Sequence, residues 1–157
     1  MPTDTTVHNW RHTHLGRLTE LARQRFDARV LTLMAHNDEL ALALSHLAAR
    51  GQLGASHIQI TRHLPVGGCR LTVLADHAGI TKQAMGKLVD QCEAWGLVAR
   101  SADARDARAI QVAFTDTGRQ WLAAYRQAVV QAEAEFRSAV GDEVATVVLL
   151  GLEVYVG

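Results

Sequence analysis

The chain has 157 residues, of which 48 % are apolar and 20 % are charged, and 16 Lys and Arg balance 16 Asp and Glu. This composition is typical of one globular domain and excludes a chain that is disordered over its whole length. The zero formal net charge excludes a uniformly basic nucleic-acid coat and an acidic solvating protein, although it is compatible with a localised basic face.

Short segments argue against membrane insertion and export. The apolar run at residues 144–156 contains Thr146, Gly151 and Glu153 and is shorter than a helix that spans a bilayer. Residues 1–11 lack the apolar core of a signal peptide, so we expect no export. Cys69 and Cys92 do not form a disulfide framework and fit a reducing cytoplasm, which is the expected location.

The N-terminal third is predicted to be helical. Apolar residues recur at three- and four-residue steps from about residue 10 to residue 34, after a polar start. Asn37 or Asp38 can cap a second helix that runs to about residue 50. A third helix, at residues 57–64, is expected to stop at Pro65 and the following glycines.

The middle of the chain alternates short helices with turns. Thr72 is predicted to cap a helix at residues 73–78 that ends at Gly79, and Thr81 to cap a helix at residues 82–95 that ends at Gly96. Residues 97–100 and 109–114 are predicted strands around a polar turn. Thr115 can cap a long helix at residues 116–139.

The last segment is predicted to be an apolar helix at about residues 142–155, although residues 144–150 could also form a strand. Its residues 147–155 are apolar almost all round, which a helix on the surface of a monomer would not be. A partner chain is the simplest cover for this helix, and burial within its own monomer is the alternative.

The order helix, tight turn, helix, two-stranded hairpin, helix is that of a winged helix-turn-helix. A small residue at Ala75 lets two helices cross closely, Gly79 can adopt the left-handed conformation, and Met85 and Leu88 fill the angle between the helices. We therefore predict a mainly α fold with a small β-hairpin wing. Residues 55–115 would form a DNA-binding lobe, and residues 1–54 and 116–157 would form dimerisation helices, all in one compact chain.

The helix at residues 82–95 has a polar face that suits DNA recognition. Its N-terminal residues would meet base edges and phosphates, where a Gln can pair with adenine and a Lys with guanine or phosphate. A glycine would let this face approach the DNA backbone. The candidates are Thr81, Lys82, Gln83, Gly86 and Lys87. A solvated helix face is the alternative interpretation.

The hairpin tip, residues 103–108, is rich in charge and lies close to Arg100. A narrow minor groove concentrates negative potential and attracts an inserted arginine. Arg100, Arg105 and Arg108 are therefore candidate DNA contacts, and Asp106 would pair with a neighbouring arginine to shape the loop. The alternative is a charged surface turn.

Several motifs together resemble the multiple-antibiotic-resistance regulator (MarR) family. They are Leu71-Thr72-Val73-Leu74-Ala75, Gly79-Ile80-Thr81-Lys82-Gln83-Ala84-Met85, Gly96-Leu97-Val98 with Arg100, the stretch from Asp103 to Arg108, and Phe114-Thr115 with Gly118-Arg119. The resemblance implies Arg105 as the wing tip and the pair of Asp106 and Arg108 as the wing stabiliser. The family often has Pro at the position of Ala104 and Arg at that of Ala107.

The resemblance also implies a function and partners. It implies a homodimeric, sequence-specific transcriptional regulator, a repressor released by a small aromatic or phenolic ligand. A two-fold dimer predicts a pseudo-palindromic operator in double-stranded DNA. His57, Arg62 and His63 could meet a ligand carboxylate. The alternatives are a redox-responsive, metal-responsive or protein-regulated winged-helix protein, and a non-DNA interaction module or small enzyme that reuses the fold.

Other chemistry has little support in the sequence. His8, His12 and His14 have spacings that can hold zinc, but no Cys or acidic residue adjoins them. Cys69 next to Arg70 could be an activated thiol, whereas Cys92 lies on an apolar face. We find no catalytic motif and therefore expect no enzyme, no cofactor and no resident metal.

The zero net charge conceals a difference between two segments. Residues 81–119 carry six basic and five acidic residues, whereas residues 120–157 carry two basic and five acidic residues. The predicted reading head is thus mildly basic and the C-terminal helices are acidic, so we expect modest non-specific affinity and joint engagement of two heads.

Overall fold

A computed structural model of the chain describes residues 10–38, 44 and 52–157. After a helical turn at residues 10–13, its helices are α1 (Leu15–Ala35), α2 (Ala55–His63), α3 (Leu71–Ala78), α4 (Lys82–Ala94), α5 (Asp116–Val140) and α6 (Asp142–Val156). Its strands are β1 (Cys69–Arg70), β2 (Val98–Ala102) and β3 (Ile110–Phe114). The predicted mainly α fold with a small β wing is confirmed. The predicted helix at residues 37–50 lies mostly outside the described residues.

The wing belongs to a three-stranded antiparallel sheet with the order β1-β3-β2. Val98 pairs with Phe114 and Ala102 with Ile110 along the predicted hairpin, while Cys69 pairs with Val112. Only the two hairpin strands were predicted from the sequence. The third strand has two residues, and its partner lies more than 40 positions later in the chain.

The turn between α3 and α4 has the predicted geometry. Gly79 ends α3 in the left-handed conformation with φ +66°, which a residue with a side chain rarely adopts. Leu74, Ala75, Met85 and Val89 are each at most 2 % exposed and belong to one apolar core that the two helices share. Close packing of these apolar side chains therefore holds the two helices at a fixed angle.

The start of α3 differs from the prediction. The helix begins at Leu71 directly after β1, and Arg70 is its N-cap without a side-chain cap hydrogen bond. The prediction that Thr72 caps it was wrong because the buried side chain of Leu71 and the strand before it fix the first turn. The alternative of a strand at residues 144–150 was also wrong, since α6 is helical throughout.

Two tight contacts join α5 to the rest of the lobe. Thr115 caps α5 by accepting from the Gly118 amide at 3.0 Å, and its hydroxyl donates to the Gly96 carbonyl. A Cβ at residue 118 would lie 1.8 Å from the Leu97 carbonyl oxygen, so only glycine fits there. Further along α5, the buried Trp121 indole donates to Thr61 Oγ1 of α2 at 3.0 Å. These contacts fix α5 against α2 and the base of the wing.

Among the described residues, no helix combines the length and the apolar character that crossing a membrane requires.

Candidate nucleic-acid interface

The N-terminus of α4 presents a polar and cationic face. Thr81 caps the helix by accepting from the Ala84 amide at 3.1 Å, and the first turn carries no acidic residue. Lys82, Gln83 and Lys87 are exposed, and their side chains form no hydrogen bond or ion pair within the described part of the chain. The positive end of the helix dipole adds to these charges, so this face can accept phosphate groups.

Gly86 lies on α4 one turn after Lys82. A Cβ built at this position meets no atom within 4 Å. Packing within the described chain therefore does not require a glycine there, and the position is open to a close approach by another molecule.

Asp103 organises the wing from a nearly buried position, with a side chain only 7 % exposed. One of its oxygens accepts from the amides of Arg105 and Asp106 at 2.7 and 3.2 Å. The other accepts from Arg70 Nε at 2.8 Å and Gln111 Nε2 at 2.7 Å. The bonds from the Arg70 guanidinium, the Arg105 amide and Gln111 hold the pKa of Asp103 well below its ordinary range.

This role of Asp103 was not predicted from the sequence. A carboxylate two residues before an amide that it can accept from is a local turn signal, and it was present in the sequence. Arg70, however, lies 33 residues earlier, and no local pattern points to it.

Asp106 shapes the wing tip through the backbone. Its Oδ1 accepts from the Arg108 amide at 3.1 Å. The contact therefore joins the two residues that were predicted to pair, but it uses the Arg108 backbone and not its guanidinium. The side chains of Arg105 and Arg108 are exposed and form no hydrogen bond or ion pair with another described residue. The wing therefore presents two free guanidinium groups on an ordered loop.

The guanidinium of Arg100, in contrast to those of Arg105 and Arg108, is bound within the protein. Its guanidinium donates to Asp90 at 2.7 Å, to Glu93 at 2.8 Å and to the Gly86 carbonyl at 3.2 Å, and its side chain is 22 % exposed. Its backbone amide also donates to Glu93 at 3.0 Å. These bonds from the Arg100 amide and side chain lower the pKa of Glu93. The structure therefore commits Arg100 to contacts within the protein, unlike the exposed DNA contact that the sequence analysis expected.

Comparison with known families identifies this segment. Residues 58–109, which contain α3, α4 and most of the hairpin, match the model of the MarR family. The winged-helix segment is therefore similar to the MarR family. The family resemblance and the expectation of a transcriptional regulator are thereby confirmed. No curated protein matches the chain.

Solved structures of MarR-family type share the fold along nearly the whole chain. The transcriptional repressor CouR bound to a 23-mer DNA duplex has 22 % identity and a TM-score of 0.67, covering 94 % of this chain and 96 % of that one. A cysteine-to-serine variant of MarR from E. coli with operator DNA has 19 % identity and a TM-score of 0.67, covering 94 % and 97 %. BpsR of Bordetella bronchiseptica, in a structure on the regulation of its DNA binding by 6-hydroxynicotinic acid, has 18 % identity and a TM-score of 0.64, covering 93 % and 96 %.

Two of the three candidate ligand residues are engaged inside this MarR-type fold. His57 is buried, its Nδ1 accepts from the Gly54 amide at 3.0 Å, and its Nε2 lies 2.6 Å from Gln91 Oε1. Because Nδ1 accepts, the ring proton lies on Nε2 and is donated to Gln91. Arg62 donates to the buried Asp27 at 2.7 Å. Both side chains thus join helices, and neither is a free ligand group.

His63, the third candidate, is half-buried at the end of α2. Burial lowers its pKa, and the positive charge of Arg62 and the neighbouring His77 lower it further. The lowered pKa favours the neutral imidazole, which weakens the expected attraction to a carboxylate.

The sensing alternatives receive no support from the described residues. Burial raises the pKa of the Cys69 thiol, and it raises that of Cys92 to about 12, so neither thiol is activated. His14 caps α1 by accepting from the Arg17 amide at 3.2 Å, and no metal-ligand cluster is found among the described residues. His8 lies outside the described residues.

Proposed function

We propose that the chain is a homodimeric, sequence-specific DNA-binding regulator of transcription, in which α4 enters the major groove and the wing enters the minor groove. One observation carries the proposal, namely which cations of the reading head are free. Arg70, Arg100 and Arg119 form ion pairs within the protein. At residues 70–119, the exposed Lys and Arg side chains without such a partner in the described chain are Lys82, Lys87, Arg105 and Arg108. They occupy the N-terminal half of α4 and the wing tip, which is the pattern that phosphate and groove contacts require.

An unpartnered apolar surface supports the homodimer. On α6, Val147 is 71 % exposed, Leu150 is 55 % exposed and Val154 is 84 % exposed. Trp10, Leu15, Leu18 and Leu21 at the start of the N-terminal helices are also between 41 % and 62 % exposed. A second copy of the chain would remove such a surface from water. The two heads would then read half-sites about 10 bp apart in a pseudo-palindromic operator.

The proposal includes release of the DNA by a small aromatic acid, and repression as the mode of control. Support comes from BpsR, whose DNA binding is regulated by 6-hydroxynicotinic acid, and from CouR, a repressor. A ligand that binds more tightly to the form incompatible with DNA would lower operator affinity by its differential affinity. Gel shifts with a panel of phenolic and hydroxylated aromatic acids test this part, and an unchanged affinity with every acid would contradict it.

Selection from a library of random DNA duplexes tests the central claim. The protein is expected to enrich a pseudo-palindromic sequence, and its affinity for that duplex is expected to fall steeply with salt. Enrichment of no sequence over the starting library would overturn the proposed function.

The wing arginine gives a test at one residue. Arg105→Ala is expected to weaken binding to the selected duplex about tenfold and to reduce the salt slope by about 1, because one cationic contact is lost. Arg126→Ala, which removes an exposed arginine of α5, is the matched control and should bind as the wild type does. Melting temperatures should stay close to that of the wild type for both variants. Unchanged DNA affinity of Arg105→Ala, or its failure to fold, would contradict a contact role.

A further inference from the structure

The contacts of Arg100 connect the two parts of the reading head. Arg100 lies on β2, opposite Val112 of β3, and is therefore part of the wing. Its three acceptors, Gly86, Asp90 and Glu93, follow one another at steps of four and three along α4 and so share one helix face. One side chain therefore bridges the wing strand and two turns of the helix before it.

The charges around Arg100 disfavour a direct role in DNA binding. One guanidinium faces two carboxylates, so the cluster has a net charge of −1 when all three groups are ionised. A phosphate placed against this cluster would be repelled by the excess carboxylate. The guanidinium also donates to three acceptors within the protein, which leaves only part of its donor capacity for another group.

The contacts of Glu93 hold both the backbone and the side chain of Arg100. One of its oxygens accepts from the Arg100 amide at 3.0 Å and the other from the guanidinium at 2.8 Å. Rotation of α4 about its axis would break these bonds and the bond to Asp90 together. Hydrogen bonds to charged groups are stronger than neutral ones, so this set resists such a rotation.

We propose that Arg100, with Glu93 and Asp90, is a positioning residue that fixes the rotation of α4 relative to the wing and does not itself contact DNA. The inference rests on the proposed function. Its consequence is that the helix and the wing are held in one relative geometry before they meet the two grooves. The preference for one DNA sequence requires that geometry. It therefore depends on Asp90 and Glu93, although their negative charges by themselves would oppose DNA binding.

The effect of removing these negative charges on DNA binding distinguishes positioning from simple repulsion of DNA by the acids. Glu93→Gln and Asp90→Asn each remove a negative charge from the head. If these acids only repelled DNA, their removal would tighten binding to selected and random duplexes alike. Positioning predicts that Glu93→Gln lowers the preference for the selected duplex over random duplex about two- to thirtyfold, the range typical of a coupled network. Glu133→Gln on α5 is the matched loss of an exposed acid and should leave the preference unchanged.

Two further variants test the positioning role of Arg100 itself. Arg100→Lys keeps the charge but cannot bridge the three acceptors, so the preference should fall while affinity for random duplex stays. The double variant Arg100→Ala with Glu93→Gln should be no worse than Arg100→Ala alone, since both changes remove one interaction. A Glu93→Gln variant that keeps the wild-type preference for the selected duplex over random duplex would overturn the inference and leave the proposed function intact.

Hydrogen exchange on the free protein keeps the inference testable without DNA. If selection enriches no sequence, the proposed function fails, and amide exchange still decides whether Arg100 restrains α4. Arg100→Ala should then accelerate exchange in β2 and in the second half of α4, while α5 keeps its wild-type protection. Unchanged exchange in both segments would overturn the restraint itself.

Discussion

At the scale of single residues, the sequence predicted the roles whose partners are close along the chain. Thr81 and Thr115 cap helices through amides three positions later, and Gly79 ends α3 in the left-handed conformation. The contacts of Arg100, and the contact of Asp103 with Arg70, were not predictable, because they depend on atoms that only folding brings near. Arg100 meets Gly86 from 14 residues away, and Asp103 meets Arg70 from 33 residues away.

Gly86 allows a prediction that separates folding from DNA contact. Gly86→Ala should raise the free energy of unfolding by about 0.5–1 kcal/mol, because alanine is the better helix former and its Cβ meets no atom within 4 Å. Urea denaturation measures this gain. If the open position serves a close approach to DNA, the same variant should bind the selected duplex more weakly. A variant less stable than the wild type would contradict the open geometry.

At the scale of elements, helices with strong local signals were predicted to within a few residues. β1 was missed because a two-residue strand has no pattern of its own and exists through its pairing with β3. The start of α3 was misplaced for a related reason, since burial of Leu71 replaces a side-chain cap. The local sequence therefore does not determine elements whose stability comes from distant partners.

The contact between α1 and α5 predicts a pH dependence. Arg29 donates twice to Glu135, at 2.7 and 2.8 Å, and these bonds, together with one from Gln131, lower the pKa of Glu135 to about 2. In the unfolded chain a glutamate titrates near pH 4.3, so a pKa lowered in the fold stabilises the protein above that pH. This contribution is lost as the pH falls from about 4.3 to about 2.

Melting temperatures of the wild type and Glu135→Gln, measured from pH 7 to pH 2, test this dependence. The variant should melt lower at neutral pH, and the difference should vanish at the acid end of the range. Glu133→Gln, an exposed acid on the same helix, should show no such convergence. A difference that stays constant with pH would exclude Glu135 ionisation as its cause.

At the scale of the whole molecule, the zero net charge results from an uneven distribution. Most charges of the reading head cancel in ion pairs, and the free cations remain at α4 and the wing tip. The C-terminal helices carry acidic residues and a broad exposed apolar surface. Composition alone could not separate these regions, because it counts paired and free charges equally.

The apolar surface of α6 predicts the oligomeric state. Val147→Glu should convert a dimer into a monomer, because it places a charge where the partner's apolar surface would lie. Val66→Glu is the matched control, since Val66 is 68 % exposed in a loop and Val147 is 71 % exposed on α6. Light scattering after size exclusion measures both masses. A wild-type chain that is already monomeric at micromolar concentration would contradict the prediction.

The carboxylate of Asp103 has a consequence for the speed of recognition. It fixes the backbone on both sides of Arg105 before any partner arrives, so the loop has little conformational entropy left to lose on binding. Encounter with DNA then requires no folding of the wing, and only the side chains of Arg105 and Arg108 become ordered. Association should therefore be limited by the diffusional encounter of the charged surfaces. Differences in affinity between operator sequences should then come from differences in residence time.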